Sequence, residues 1–250
     1  MSAEEQSQDA VQNHGTDPVV GGSGVSHTWK GSSTPVVDLP ELRIEAGESV
    51  YLQGESGAGK STLMALLGAF LPPTHGTLTV LGLAVSSATK RERDRLRADD
   101  IGILVQELHL IPYLSVLENV LLPCHFSARR RQRLAARRAT PEQDATRLLE
   151  RLDLDQALWN RPVGRLSGGQ KQRVAAARSL IGVPPLILAD EPTSALDLRR
   201  QQEFLELLLE ETRNNGSTLV VAGHDTRLAE RLDRILVLGN TPHLNAGVAA

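Results

Sequence analysis

From Val36 onward, short apolar runs alternate with longer amphipathic ones. Residues 49–53 read as a buried strand, followed by a Gly-rich turn and a helix at about 60–67. Residues 76–81 alternate as a strand does, and 88–98 predict a charged helix. Residues 101–105 are continuously apolar, the pattern of a strand covered on both faces, and 186–189, 218–222 and 235–238 repeat it. Helical patterns at 198–213 and 226–232 separate the later runs. Such alternation predicts an α/β layer fold around a mainly parallel sheet.

The stretch 107–182 breaks this rhythm, with helical patterns at 127–139, 141–152 and 168–180 and no convincing strand. A helical subdomain inserted into the α/β core is the simplest account. Residues 1–24 are polar and acidic, with neither the basic start nor the apolar centre of an export signal. They bury too little apolar surface to offset ordering entropy and read as a disordered leader. The expected organisation is therefore a leader at 1–24, one domain at 25–240 with its helical part at about 107–182, and a tail at 241–250.

A chain of 250 residues needs no staple, since a fold of this size buries roughly 70–75% of its unfolded surface. Cys124 is the only thiol and can form no internal disulfide, which fits a reducing cytoplasm. It reads as a small packed residue. A net charge of −3 argues against a generally basic nucleic-acid binder. No apolar run approaches the roughly 18–20 residues that cross a bilayer. The most apolar stretch, 180–189, carries Pro184 and Pro185 and ends at Asp190 and Glu191. The run Arg129, Arg130, Arg131, Arg133, Arg137 and Arg138 reads either as a solvated helix face or as a surface for anionic lipid. The histidines outside the motifs below lack ligand spacing.

Gly54-Glu55-Ser56-Gly57-Ala58-Gly59-Lys60-Ser61 fits G-x-x-x-x-G-K-[ST] between a predicted strand and a helix that continues through Thr62. Glycines let the backbone turn its N–H groups onto phosphate oxygens, and the helix start adds its dipole. Lys60, one of only four lysines, is placed to neutralise the β- and γ-phosphates, and the Ser61 hydroxyl to ligate Mg²⁺. Residues 185–191 form an apolar strand ending in Asp190 and Glu191. Asp190 is the candidate Mg²⁺ ligand, and Glu191 the candidate base that polarises water against the γ-phosphate. Further on, Leu166-Ser167-Gly168-Gly169-Gln170 opens a helix that Ser167 caps, a second anion-shaped helix start.

With these segments in order, the chain from about Trp29 to Leu238 resembles the ATP-binding cassette (ABC) ATPases. The shared motifs are the phosphate loop, a lone Gln106, the signature Leu166–Gln170, the pair Asp190–Glu191, Ser194-Ala-Leu-Asp197 and His224. The resemblance implies a P-loop NTPase core with an antiparallel β subdomain and an inserted helical subdomain. It also implies ATP and Mg²⁺ as cofactors. Gln106 would contact Mg²⁺ and the attacking water, and His224 would hydrogen-bond the γ-phosphate. Ser167, Gly168, Gly169 and Gln170 would bind the γ-phosphate of ATP held by a second copy of the chain. Asp197 would couple the paired sites, and Trp29 would stack on adenine. Gly223 departs from the family pattern, in which Thr or Ser often precedes the histidine.

Residues 106–123 resemble the branch that serves lipoprotein release and macrolide export. The implied role is an ATPase subunit at the inner membrane face that drives a separate transmembrane permease. A soluble ABC protein acting on a non-transport complex is the alternative, weakened by the single cassette. A P-loop kinase would not need Leu166–Gln170. Leu108, Leu110, Ile111, Tyr113 and Leu114, around Pro112, form an apolar loop that is either folded into the core or a docking surface. The resemblance favours docking of a short permease helix.

Overall fold

Two sheets divide the apolar residues between them. A computed structural model describes residues 17–193 and 198–239. The chain begins with β1 (Val20–His27), β2 (Val37–Ile44), β3 (Ser49–Gln53), α1 (Lys60–Leu67), β4 (His75–Val80) and β5 (Leu83–Ala84). It continues through α2 (Lys90–Asp100), β6 (Ile101–Leu104), α3 (Val116–Phe126), α4 (Ala128–Ala136), α5 (Pro141–Arg151) and α6 (Gly168–Leu180). It closes with β7 (Leu186–Asp190), α7 (Leu198–Asn215), β8 (Thr218–Gly223), α8 (Thr226–Ala229) and β9 (Arg234–Val237). The central sheet runs β6-β7-β8-β3-β9 and every pairing in it is parallel. An antiparallel sheet, β2-β1-β4-β5, lies beside it. The α/β class, the parallel sheet and the helical region between β6 and β7 are thus as the alternation predicts.

One expectation needs correction, and another divides between its residues. Residues 20–24 are not leader: they form the first half of β1, pairing Val20 with Ile44 and Val80. Gly21, Gly22, Ser23 and Gly24 hide that strand from a composition argument, but Val19, Val20 and Val25 are buried. The rest of the expected leader, 1–16, and the tail lie outside the described residues. The arginine run divides: Arg129, Arg131, Arg137 and Arg138 are exposed, as a solvated face requires, while Arg130 turns inward and Arg133 is half-buried. Arg130 is only 2% exposed, and its guanidinium donates to the carbonyls of Ala98, Ile101 and Ile181. Burial pushes its pKa down to about 10. Arg129 and Arg133 both pair with buried Asp100 at 2.7 Å. This cluster ties α4 to the end of α2 and the start of β6, where unpaired carbonyls need donors.

Four helices, α2, α3, α5 and α6, start with the same reciprocal cap: Thr89 with Glu92, Ser115 with Glu118, Thr140 with Gln143, and Ser167 with Gln170. Hydrophobic pattern missed α3, although Ser115 and Glu118 announce its start. Cys124, on its inner face, is buried, and burial pushes the thiol up to about 11.

Candidate functional site

The candidate residues of the core follow the carboxyl ends of four parallel strands, the edge where open α/β sheets bind ligands. The phosphate loop follows β3, Gln106 follows β6, Asp190 ends β7 and His224 follows β8. Asp190 lies opposite Ala222, and Gln53 opposite Gly223, so the register sets the carboxylates beside the phosphate loop and the histidine.

Two glycines make the loop. Gly57 and Gly59 have φ of 82° and 94°, and a Cβ on Gly59 would lie 2.4 Å from the Val36 carbonyl oxygen. Gly59 stands at the N-cap of α1 with no side chain capping that helix. Its first N–H groups therefore face the loop rather than a hydroxyl of their own chain. Lys60 is buried, and its Nζ donates to the carbonyls of Gly54 at 2.6 Å and Glu55 at 3.0 Å. Glu55, Ser56 and Gly57 are exposed, whereas Ala58 and Thr62 face inward. Trp29, 49% exposed, sits edge-on to His27 with ring centroids 5.0 Å apart. Its loop closes where the Val36 N–H donates to the His27 carbonyl. The Val36 carbonyl against Gly59 thus brings the tryptophan loop alongside the phosphate loop.

Ser61 donates a side-chain hydrogen bond to Asp190. Burial and the neighbouring Glu191 raise the Asp190 carboxyl above its ordinary value, against the opposing pull of Ser61, Lys60 and His224. The donors Ser61, Asp190 and exposed Gln106 are all oxygen, which suits a hard cation such as Mg²⁺. Glu191 carries a left-handed φ of 48°, unusual for a residue with a Cβ. Its N–H donates to the Ala222 carbonyl, and its Oε1 lies 2.9 Å from His224 Nε2. A carboxylate oriented by an imidazole can accept a proton from water.

The signature segment stands apart from this group. Ser167, Gly169 and Gln170 line a separate cavity of about 320 Å³ with Asp153, Arg173 and Phe204. Ser167 N–H donates to Gln170 Oε1 at 3.0 Å, and Ser167 Oγ accepts from Gln170 N–H. Among the described residues, nothing lies within 4 Å of where a Gly168 Cβ would be. Ser194 to Asp197 lie outside the described residues.

Two residues that motif reasoning missed join the groups through α6. Gln172 donates to the Pro192 carbonyl, next to Glu191. Arg178 donates to the carbonyls of Leu108 and His109 at 2.5 and 2.8 Å, holding the segment after Gln106. Both sit in the helix that the signature opens, but nothing in their local pattern marks them. In that segment Leu108 and Leu110 pack on the core, while Tyr113 is 77% exposed. The two alternatives for the apolar loop therefore divide between its residues.

Residues 38–194 match the family model described as ABC transporter. The chain belongs to this family. It is an ATP-binding ABC transporter protein that hydrolyses ATP. It is 40% identical over 205 residues to a lipoprotein-releasing system ATP-binding protein, LolD, of Xanthomonas oryzae pv. oryzae, a match covering 82% of this chain and 81% of that one. It is 43% identical over 202 residues to the macrolide export ATP-binding/permease protein MacB of Rhodopirellula baltica. There the match covers 81% of this chain but spans only 29% of its relative. Among solved structures it is similar to the dimeric ATP-binding cassette MJ0796 in a post-hydrolysis state with ADP and Pi. That match has a TM-score of 0.76 and 34% identity, covering 88% of this chain and 94% of that one. The LolD- and MacB-like branch agrees with the resemblance of residues 106–123. No helix among the described residues is long and apolar enough to cross a membrane.

Proposed function

We propose that the chain hydrolyses ATP as a head-to-tail pair and drives a separate transmembrane permease from the inner membrane face. The observation that carries this reading is the division of the site. Lys60, Ser61, Asp190, Glu191 and His224 converge, while Ser167 opens onto a different cavity. A signature that cannot serve its own phosphate loop is complete only against another copy's nucleotide. The dimeric state of the similar cassette MJ0796 supports the same arrangement.

In this reading Lys60 and the N–H groups of the loop hold the β- and γ-phosphates, and Trp29 stacks on the adenine. Ser61, Asp190 and Gln106 would hold Mg²⁺, which would supply charge neutralisation at the phosphoryl oxygens. Glu191 takes the proton of the attacking water. His224 orients the Glu191 carboxylate and donates to the γ-phosphate. Ser167 can donate its hydroxyl proton outward while still accepting from Gln170, because a hydroxyl offers one donor and two acceptor positions. Asp197 couples the two sites. Tyr113, on the loop after Gln106, is the contact for a permease helix, and Arg178 transmits the position of that loop to the signature helix.

Phosphate release tests the core of this proposal. Glu191→Gln should keep ATP binding and slow turnover by about 10²–10⁴-fold, the range for losing a general base. ATP should then hold this variant as a dimer in sedimentation, and Ser167→Arg should abolish that dimer. Near-wild-type turnover would remove Glu191 as the base. A fully active monomer at every concentration would overturn the pairing.

A further inference from the structure

The tyrosine in β3 and the glycine before the candidate histidine fit one another. Tyr51 is completely buried, the largest such side chain among the described residues. Its hydroxyl donates to the backbone carbonyl of Asp225 at 3.0 Å. A Cβ on Gly223 would lie 2.6 Å from the Tyr51 hydroxyl oxygen and 3.3 Å from the ring carbon that bears it. Unlike Gly57 or Gly59, Gly223 does not have a left-handed φ. Its backbone would accept any side chain, so it is the phenol that demands glycine here.

The two contacts bracket His224. On one side Gly223 lies flush against the phenol; on the other, the Asp225 carbonyl accepts its hydrogen bond. Asp225 is held a second time, since its carboxylate accepts from the Arg227 N–H at 3.0 Å and caps α8. The phenol also walls a cavity of about 160 Å³ shared with Glu191, Gly223, His224 and Asp225. Burial and the nearby Asp225 push the phenol up to about 12, so it remains a protonated donor at any working pH.

We infer that Tyr51 is a positioning residue for catalysis: its buried hydroxyl fixes the backbone on both sides of His224, by its hydrogen bond to the Asp225 carbonyl and by its close packing on Gly223. The inference rests on the reading of His224 and Glu191 as catalytic.

The test is a set of substitutions in the full-length chain, read by steady-state ATP hydrolysis and thermal melting. Tyr51→Phe keeps the ring and removes one hydrogen bond. It should lower kcat about 3- to 10-fold, the effect of one buried hydrogen bond, with KM for ATP little changed. In a His224→Ala background the same change should have no further effect on kcat, because the group it positions is gone. Gly223→Thr should lose most turnover through the clash with the phenol while the melt still reports a folded chain. An equal kcat loss for Tyr51→Phe in both backgrounds would make Tyr51 a purely structural residue. Wild-type kcat in Tyr51→Phe, or in a folded Gly223→Thr variant, would overturn the inference. If His224→Ala itself turns over at the wild-type rate, the reading of the site has failed rather than the role of Tyr51.

Discussion

Two helix starts in this molecule are shaped for anions, and they are built in opposite ways. At α1 the cap is Gly59, left-handed and without a side-chain acceptor, and the lysine lies folded into the loop. At α6 the cap is Ser167, locked in a reciprocal pair with Gln170 and surrounded by open space at Gly168. The first start is enclosed by its own chain, down to the Val36 carbonyl under Gly59. The second is satisfied internally and turned outward. On the proposed reading, one phosphate site is complete within the fold, and the other is half of a site that a second copy completes.

Glycine substitutions sharpen the contrast most. Gly59→Ala combines a forbidden φ with a 2.4 Å approach to backbone, so it should weaken ATP binding by more than 100-fold, measured by calorimetry. A binding constant near that of wild type would show that the loop is not held as described. Gly168→Ala meets no neighbour among the described residues and should leave melting temperature and monomer ATP binding unchanged. If a partner's γ-phosphate approaches Gly168, the same change should still cut turnover about tenfold and weaken ATP-driven dimerisation. Unchanged turnover would mean that no phosphate comes close to that backbone. The smallest effect on basal hydrolysis is expected from Tyr113→Glu. The loop around Pro112 is bonded to the segment before Ser167, with Gly164 N–H donating to the Pro112 carbonyl and Val163 N–H to that of Leu114, yet the Tyr113 ring points outward. Soluble ATPase activity should remain within about twofold while recruitment to membranes containing the permease is lost in a flotation assay. Undiminished recruitment would place the docking surface elsewhere.

Local pattern decided much of this protein. Continuous apolar runs specify β6, β7 and β8 because parallel strands are buried on both faces. The Gly-x-Gly-Lys turn between strand and helix announces α1, and the Ser/Thr-x-x-Glu/Gln pairs announce four other helices, including the α3 that hydrophobic periodicity overlooks. Each of these rests on interactions within a few residues, which is why a linear reading can find them. Tertiary structure alone decided the remainder. The glycine-rich start of β1 is a strand only because β2 and β4 supply its hydrogen bonds. Arg130 is interior and Arg133 half-buried only because carbonyls from α2 and β6 and the carboxylate of Asp100 converge there. Arg178 holds the Gln106 loop across some 70 residues of chain, and Tyr51 meets Gly223 across two strands. No spacing rule encodes such pairs, because the partners of a buried polar group are set by which strands and helix ends the fold brings within about 3 Å.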